Sequence, residues 1–364
     1  MKNPNPNPNP NREYLKYVEF YITNVCNFNC TNCNRFNNYY FSGQQLWGDY
    51  KSEYEEWSRK FNFGAIAILG GEPTLNPSFL EWVDGIASLW PDSAIEIVTN
   101  ASRINNVKGF YDVLKKYNGR VFLGVSVHNL NDYHGDGGII HDAVLDFLGN
   151  DVTAYAMDDR DEEWERCYKR IKDLSWPISY KISDYNSLPS DIQSKCEDMY
   201  NGIIDYPGVD KREYDSEKTT VYEDCNGIRA VVQVADKFKE PSIIDGGGGA
   251  FTLHNSNPDE ALEQCYSRRC HHFVKGKLYK CPVTAVLPDF VEQFKVDMSD
   301  EDYELMHSYK PLTLESSESQ QAEFIDNLKN EKVIPQCKFC PSKFISLTTI
   351  TASTNKERIP KKKP

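Results

Sequence analysis

The sequence has no apolar run long enough to span a bilayer, for which about 20 consecutive apolar residues are needed. It also lacks a basic N-terminal region followed by an apolar stretch, the pattern of a secretory signal. These two absences argue against a membrane partner and against secretion. We therefore expect a cytoplasmic protein.

Positive charge is scarce as well, with 41 lysines and arginines against 54 aspartates and glutamates and a net charge of −13. Such a surface repels duplex nucleic acid unless a basic patch is segregated from it. The one dense basic run, Lys356 to Lys363, predicts a solvated tail over residues 346–364. Four Asn-Pro repeats over residues 3–10 predict a disordered tail over residues 1–12. Duplex nucleic acid is therefore not an expected partner.

Cysteine, in contrast, is abundant and odd in number, with 11 residues. A chain of 364 residues is much longer than the small secreted domains that disulfides hold together. Most of the cysteines form two groups, which in a reducing compartment is typical of metal ligands. The first group is Cys26, Cys30 and Cys33, and the second is Cys265, Cys270, Cys281, Cys337 and Cys340. Cys167, Cys196 and Cys225 stand singly and are interpreted as packing residues.

Short apolar segments alternate with helix-like segments over the first half of the chain, which predicts six βα units and a parallel sheet. The closure that this pattern favours is a partial (β/α)6 TIM-like barrel, in which the chemistry lies on loops after the strands. The expected strands are Tyr17–Ile22, Ala65–Leu69, Ala94–Val98, Val121–Val127, Val152–Ala156 and Ile178–Ile182. Gly246 to Gly249 reads as a flexible connector. We expect the barrel over residues 13–245 and a small C-terminal domain over residues 246–345.

The first cysteine group is a C-x3-C-x2-C run that directly follows the first expected strand. Three thiolates so close together can hold three irons of a cubane cluster and leave the fourth iron open to a substrate or cofactor. The alternative is a zinc site completed by a distant ligand, although zinc sites more often pair two C-x2-C knuckles. The spacing favours iron–sulfur.

This run resembles the signature of the radical SAM superfamily, whose members use S-adenosylmethionine (SAM). Gly70-Gly71-Glu72-Pro73 follows the second expected strand and is similar to the family's GGEP motif. Thr99-Asn100 resembles the family's Thr-Asn-Gly turn, with Ala101 in place of glycine, and Ser126 resembles its serine after the fourth strand. The resemblance implies that Gly70, Gly71, Glu72, Pro73, Asn100 and Ser126 bind SAM, with Glu72 accepting from its ammonium group.

What the resemblance implies for the reaction is a [4Fe–4S] cluster on Cys26, Cys30 and Cys33 that chelates SAM by its open iron. A one-electron donor such as flavodoxin or ferredoxin reduces the cluster, SAM is cleaved, and a 5′-deoxyadenosyl radical removes a hydrogen atom from the substrate. The family has an aromatic residue before the third cysteine, whereas this chain has Asn32. Phe36 is the residue that we expect to replace it against the adenine.

The second cysteine group predicts a further metal centre. Residues around Lys275-Gly276 alternate as in a tight hairpin, which would make Cys270 and Cys281 a cross-strand pair about 5 Å apart at Cβ. Cys337 and Cys340 form a C-x2-C knuckle, so the four thiolates suit a [4Fe–4S] cluster or zinc.

This arrangement resembles the twitch form of the SPASM-like auxiliary-cluster region that follows many radical SAM barrels. Cys265 is a rival for Cys270, which we prefer on the hairpin argument. His271 and His272 are expected to be packed rather than ligating.

Together these features predict a radical SAM enzyme with an auxiliary [4Fe–4S] cluster that assists oxidation or binds the substrate. The substrate classes left open are small metabolites, sugars, nucleotides and peptides. We expect no leader-peptide-binding domain before Glu13. The rival hypothesis is a non-catalytic metal-binding or redox-sensing protein with two cysteine-rich sites.

Overall fold

The computed structural model describes residues 12–117, 119–128, 139–149, 152–156, 219–235, 237–247, 250–265, 267–343 and 345–348. The sixth expected strand, nearly all of both expected tails, Cys167 and Cys196 lie outside these residues. No helix in the described part of the chain is long and apolar enough to cross a membrane.

Thirteen strands occur within the described residues, and nine of them form one sheet. In chain order they are β1 (Glu13–Tyr21), β2 (Phe61–Leu69), β3 (Ala94–Thr99), β4 (Val121–Val127), β5 (Thr153–Ala156), β6 (Thr219–Glu223), β7 (Arg229–Val234), β8 (Lys237–Lys239), β9 (Ile243–Asp245), β10 (Phe251–Leu253), β11 (His272–Val274), β12 (Lys277–Tyr279) and β13 (Ser346–Thr348). The helices are α1 (Trp47–Lys60), α2 (Phe79–Leu89), α3 (Phe110–Lys116), α4 (Ile139–Leu148), α5 (Pro258–Glu263), α6 (Pro282–Phe294), α7 (Asp300–His307) and α8 (Glu318–Lys329).

The large sheet has the order β12-β11-β1-β2-β3-β4-β7-β6-β5. Strands β1 to β4 are neighbours and parallel, with Tyr21 opposite Leu69 and Thr99 opposite Val125, so their carboxyl ends meet at one edge. A mixed α/β fold with a large parallel sheet is therefore confirmed, as are the first four expected strands.

The fifth expected strand forms, but its place in the sheet differs from a simple succession of βα units. β5 lies at the far edge and pairs antiparallel with β6, whereas β7 lies parallel beside β4. Strand content follows from local composition, but the choice of partner depends on pairing between distant residues, which local patterns do not encode.

The sheet separates two apolar clusters because alternate residues of a strand face opposite sides. Val18 and Phe20 of β1 belong to the cluster that also contains Trp57 of α1 and Trp82 of α2. Tyr21 belongs to the other cluster, together with residues of α6 such as Phe290. The C-terminal segment therefore covers one face of the sheet that the N-terminal segment builds.

The C-terminal hairpin also continues that sheet. β11 pairs parallel with β1, with Glu19 opposite His272, and β12 pairs antiparallel with β11, with Val274 opposite Lys277. The expected hairpin is thus confirmed, and Lys275 and Gly276 at its turn have left-handed φ values of 50° and 71°. The proposed division at residue 245 stays a prediction.

Two helical glycines give a matched test of packing between α1 and α2. A Cβ atom on Gly85 would lie 2.1 Å from the Trp47 ring, whereas one on Gly48 would meet nothing within 4 Å. We expect Gly85→Ala to lower the free energy of unfolding by about 1–3 kcal/mol through overpacking. Gly48→Ala should leave it unchanged or raise it by up to about 1 kcal/mol. Denaturant titrations measure both, and equal effects would contradict this packing.

Candidate functional site

The cysteine loop follows β1 and is fixed at its start by backbone hydrogen bonds from the loop after β2. Gly71 N donates to Thr23 O at 2.7 Å, and Glu72 N donates to Val25 O at 2.8 Å. A Cβ atom on Gly70 would lie 2.5 Å from Thr23 O, and one on Gly71 would lie 2.3 Å from Val25 O. Both positions therefore require glycine, because the two backbones approach too closely for any side chain.

The loop lines a cavity at the carboxyl edge of β1 to β4. Its walls include most of the residues expected from the sequence, namely Cys26, Cys30, Cys33, Gly70, Gly71, Asn100 and Ser126, together with Phe28, Arg35, Thr99 and His128. Residues from four separate stretches of chain thus converge, as expected for loops that follow neighbouring parallel strands.

Glu72 is placed differently from the expectation. Its residue is 0% exposed, and its carboxylate accepts hydrogen bonds from Thr74 Oγ1 at 2.6 Å, Thr99 Oγ1 at 2.7 Å and Asn100 N at 2.8 Å. It is not among the residues that line the cavity. Burial raises the pKa of Glu72, although these hydrogen bonds oppose the rise by favouring the ionised form. The carboxylate therefore joins the loops after β2 and β3 from behind the cavity wall, and Pro73 beside it is also buried.

The turn after β3 is held by side chains on both sides of the cavity. Asn100 Nδ2 donates to Asn27 Oδ1 at 3.1 Å, within the cysteine loop, and Asn100 Oδ1 accepts from Ser102 Oγ at 2.6 Å. Ala101 has a φ of 59° and is fully buried. The left-handed backbone explains why glycine suits this position in the family's motif, and alanine bears a steric cost here.

The aromatic residue in the cavity is Phe28, not Phe36. Phe36 is 1% exposed and packs against Phe290 of α6, with ring centroids 5.3 Å apart. The expectation for Phe36 is therefore wrong, because its apolar surface serves the second core cluster. Two residues that sequence reasoning missed, Phe28 and His128, line the cavity. Their only sequence signal is position, inside the cysteine run and two residues after Ser126.

The thiol chemistry of the cavity favours a bound cation. Burial raises the pKa of Cys26 well above its usual range, and the nearby Cys33, Glu72 and Cys30 raise it further. A positively charged iron centre that binds the thiolates would offset the free-energy cost of ionising these buried thiols. The donor set of three cysteines therefore fits an iron–sulfur cluster. Among the described residues, no three His, Cys, Asp or Glu side chains are arranged to hold a single metal ion.

In the second cysteine group the thiols of Cys265, Cys281, Cys337 and Cys340 act on one another, and the choice of Cys270 as a ligand stays a prediction. Burial and the nearby thiols of Cys281 and Cys337 raise the pKa of Cys265 to about 12. Burial and the thiols of Cys281, Cys265 and Cys337 likewise raise the pKa of Cys340. The four side chains come from the end of α5, the start of α6 and a 3-10 helix over Pro335–Phe339. Contacts between α5 and this 3-10 helix bring the sequence-distant pieces together.

Cys270 has different neighbours. It is 4% exposed, and its thiol lies beside the Glu19 carboxylate and the charge of Arg35. His272 places Nε2 2.8 Å from Glu19 Oε2 and Nδ1 3.0 Å from the Cys270 carbonyl oxygen. His271 Nδ1 lies 2.8 Å from the Lys280 carbonyl oxygen. The hairpin register that favoured Cys270 is present, but this thiol lies beside Glu19 of β1, and of the other four thiols only Cys265 acts on it.

Comparison with known proteins agrees with the site. The Radical SAM superfamily model matches residues 20–182, so this part of the chain is similar to that superfamily. A search of curated proteins gave no match.

Two solved structures resemble parts of the chain. BtrN in complex with AdoMet and 2-DOIA is 16% identical, with a TM-score of 0.25, over 36% of this chain and 55% of that chain. Native anSMEcpe with bound AdoMet and Cp18Cys peptide is 18% identical, with a TM-score of 0.28, over 36% of this chain and 39% of that chain. The matched part thus spans about half of BtrN and less of anSMEcpe.

The position of Glu72 generates a test of its role. We expect Glu72→Ala to lower the free energy of unfolding by about 3 kcal/mol or more, because several buried donors lose their acceptor at about 1–3 kcal/mol each. SAM affinity should fall with it, since the two loops separate. Glu81→Ala on the exposed face of α2 is the control, and denaturant titration with SAM-binding calorimetry supplies the measurements. Weaker SAM binding at unchanged stability would instead indicate direct contact with SAM.

Proposed function

We propose that the protein is a radical SAM enzyme that reductively cleaves SAM and uses the resulting 5′-deoxyadenosyl radical to abstract a hydrogen atom from its substrate. The observation that carries the proposal is the convergence of Cys26, Cys30 and Cys33 with Gly70 and Asn100 on one cavity. The substrate classes are small metabolites, sugars, nucleotides and peptides. The electron donor is of the flavodoxin or ferredoxin type.

Cys26, Cys30 and Cys33 would hold the [4Fe–4S] cluster, each through one thiolate. When bound, the cluster supplies an open iron for SAM and the electron that cleaves it. A cubane cluster accepts thiolates that lie farther apart than the ligands of one ion, because each thiolate binds a different iron. The 3.4 Å contact from Phe28 N to Cys26 Sγ supplies a hydrogen-bond donor to one of these thiolates.

The other walls of the cavity would orient SAM. Gly70 and Gly71 line the cavity, and their close packing on Thr23 and Val25 holds this part of its wall in place. Asn100 and the Ser126 hydroxyl supply polar contacts, and Phe28 offers an aromatic surface. Burial lowers the pKa of His128, so its ring is neutral near pH 7 and can accept or donate a hydrogen bond.

Cys265, Cys281, Cys337 and Cys340 would hold the auxiliary [4Fe–4S] cluster. Four thiolates provide one ligand for each of the four irons, so no iron is left open as at the first site. Such a fully coordinated cluster is suited to accepting and storing an electron. The Ser242 hydroxyl lies 3.6 Å from Cys340 Sγ, and the Thr284 hydroxyl lies 3.7 Å from Cys281 Sγ. Zinc is the alternative that four thiolates allow by ligand type, although no three of the described side chains are arranged around a single ion.

The first cysteine group gives the decisive test of activity. We expect changing Cys26, Cys30 and Cys33 together to alanine to abolish 5′-deoxyadenosine formation with dithionite, measured by chromatography after anaerobic reconstitution. Cys225→Ala is the control and should retain it, because Cys225 is exposed and is not the packing residue that the sequence indicates. Retained cleavage in the triple variant would refute the cluster assignment. Iron uptake without any SAM cleavage by the unaltered protein would favour the redox-sensing hypothesis.

The second group gives a separate test of ligand choice. We expect Cys265→Ser to lose up to half of the roughly eight irons of the reconstituted protein, while Cys270→Ser keeps them, because a [4Fe–4S] cluster holds four irons. Iron and zinc analysis measures both variants side by side. If only Cys270→Ser loses iron, Cys270 and Cys281 are the ligands and the choice of Cys265 is wrong. If the analysis finds zinc in place of iron, the second group holds a zinc ion and not an auxiliary cluster.

A further inference from the structure

Lys280 carries a buried ammonium group. It lies between β12 and the start of α6, one residue before Cys281, and is 3% exposed. Its Nζ has no hydrogen-bond partner among the described residues. An ammonium group removed from water is costly unless it meets a compensating charge or acceptor, so this arrangement calls for a ligand that supplies one.

The backbone on either side fixes where this side chain can reach. Lys280 N donates to Tyr309 Oη at 2.9 Å, and the Lys280 carbonyl oxygen lies 2.8 Å from His271 Nδ1. The residue is therefore held both to β11 and to the segment after α7. Because the backbone of Lys280 is held on both sides and its side chain is buried, the ammonium group lies inside the protein and not in solvent.

Lys280 directly precedes Cys281 in the chain, and thiols of the second cysteine group are among the groups that its charge acts on. The charge of Lys280 acts on Cys265 and Cys337, lowering the pKa of each against the larger effect of burial. The Asp259 carboxylate raises the pKa of Cys337. The charge of Lys280 also lowers the pKa of His271. Other lysines of the same hairpin differ, because Lys275 pairs with Asp289 at 2.7 Å and Lys277 is exposed. Among these lysines of the hairpin, Lys280 is the one that is buried, lacks a hydrogen-bond partner among the described residues and stands next to a cysteine of the second group.

We propose that Lys280 Nζ is the counter-ion of the auxiliary cluster, donating a hydrogen bond to one of its sulfur atoms and raising its reduction potential. The inference rests on the proposed auxiliary centre at Cys265, Cys281, Cys337 and Cys340. Four thiolates outweigh the positive charge of the iron–sulfur core, so the loaded centre is anionic. When the centre accepts one electron from a reductant such as dithionite, its negative charge grows, and a nearby ammonium stabilises this reduced form most. No proton moves in this step.

The experiment measures the midpoint potential of the auxiliary cluster alone. Full-length protein with Cys26, Cys30 and Cys33 changed to alanine is reconstituted anaerobically, and an EPR-monitored redox titration is run with and without Lys280→Met. We expect at least a tenfold fall in the ratio of reduced to oxidised cluster at a fixed potential, which for one electron is a midpoint lower by about 59 mV. Lys277→Met is the control and should leave the midpoint unchanged.

The outcomes separate this inference from the proposed function. Full iron with an unchanged midpoint in Lys280→Met overturns the role of Lys280 and leaves the auxiliary cluster standing. No iron in the background that retains Lys280 overturns the auxiliary cluster itself. If Lys280→Met binds no iron, Lys280→Arg should recover the iron and the midpoint because it keeps the charge, and failure to recover overturns the inference.

A stability measurement excludes a merely structural role. In the metal-free protein, Lys280→Met removes an unpartnered buried ammonium, so we expect its denaturant midpoint to be equal to or higher than that of the parent. The loaded proteins should show the potential shift described above. A lower stability of the metal-free variant would assign Lys280 to folding and contradict the proposal.

Discussion

The buried carboxylate of Glu72 is the junction on which the candidate site depends. It accepts from Thr74 in its own loop and from Thr99 and Asn100 in the loop after β3. The backbone of the same loop donates to Thr23 O and Val25 O at the start of the cysteine loop. One acidic residue and two glycines thus hold three strand ends together, because each buried donor would be costly to leave unpaired. This junction and the hydrogen bond from Asn100 to Asn27 together hold the cysteine loop in place.

Much of this arrangement could be predicted from the sequence, because the information was local. Strands β1 to β4 are short apolar segments, and parallel strands bring their carboxyl-end loops to one edge. The cysteine run, Gly70, Gly71, Asn100 and Ser126 therefore meet as expected. The direction of a side chain was not predictable in the same way. Glu72 faces protein donors rather than the cavity, and motif position alone does not distinguish the two.

Long-range choices were the other source of error. β7, rather than β5, lies beside β4, since several strands of similar composition compete for that edge. Cys265 lies near Cys337 although Cys270 has the better hairpin register, because α5 packs against the 3-10 helix that carries Cys337, and which of the two is a ligand stays a prediction. Phe36 serves an apolar cluster built partly by α6, more than 200 residues away in the chain. Each outcome depends on a contact between segments that no local pattern relates.

The two cysteine groups also differ in the charge that surrounds them, although in the sequence a basic residue stands near each. Arg35, two residues after Cys33, lies 2.8 Å from Glu19, so its charge is compensated. Burial alone would raise the pKa of Glu19, but His272 and Arg35 outweigh it and hold the pKa at about 2. Lys280 beside Cys281 has no such carboxylate among the described residues. A compensated cation adds little to the potential of a nearby centre, whereas an uncompensated one favours the reduced state. For the two proposed clusters, this difference in charge would favour a lower reduction potential at the first site and a higher one at the second.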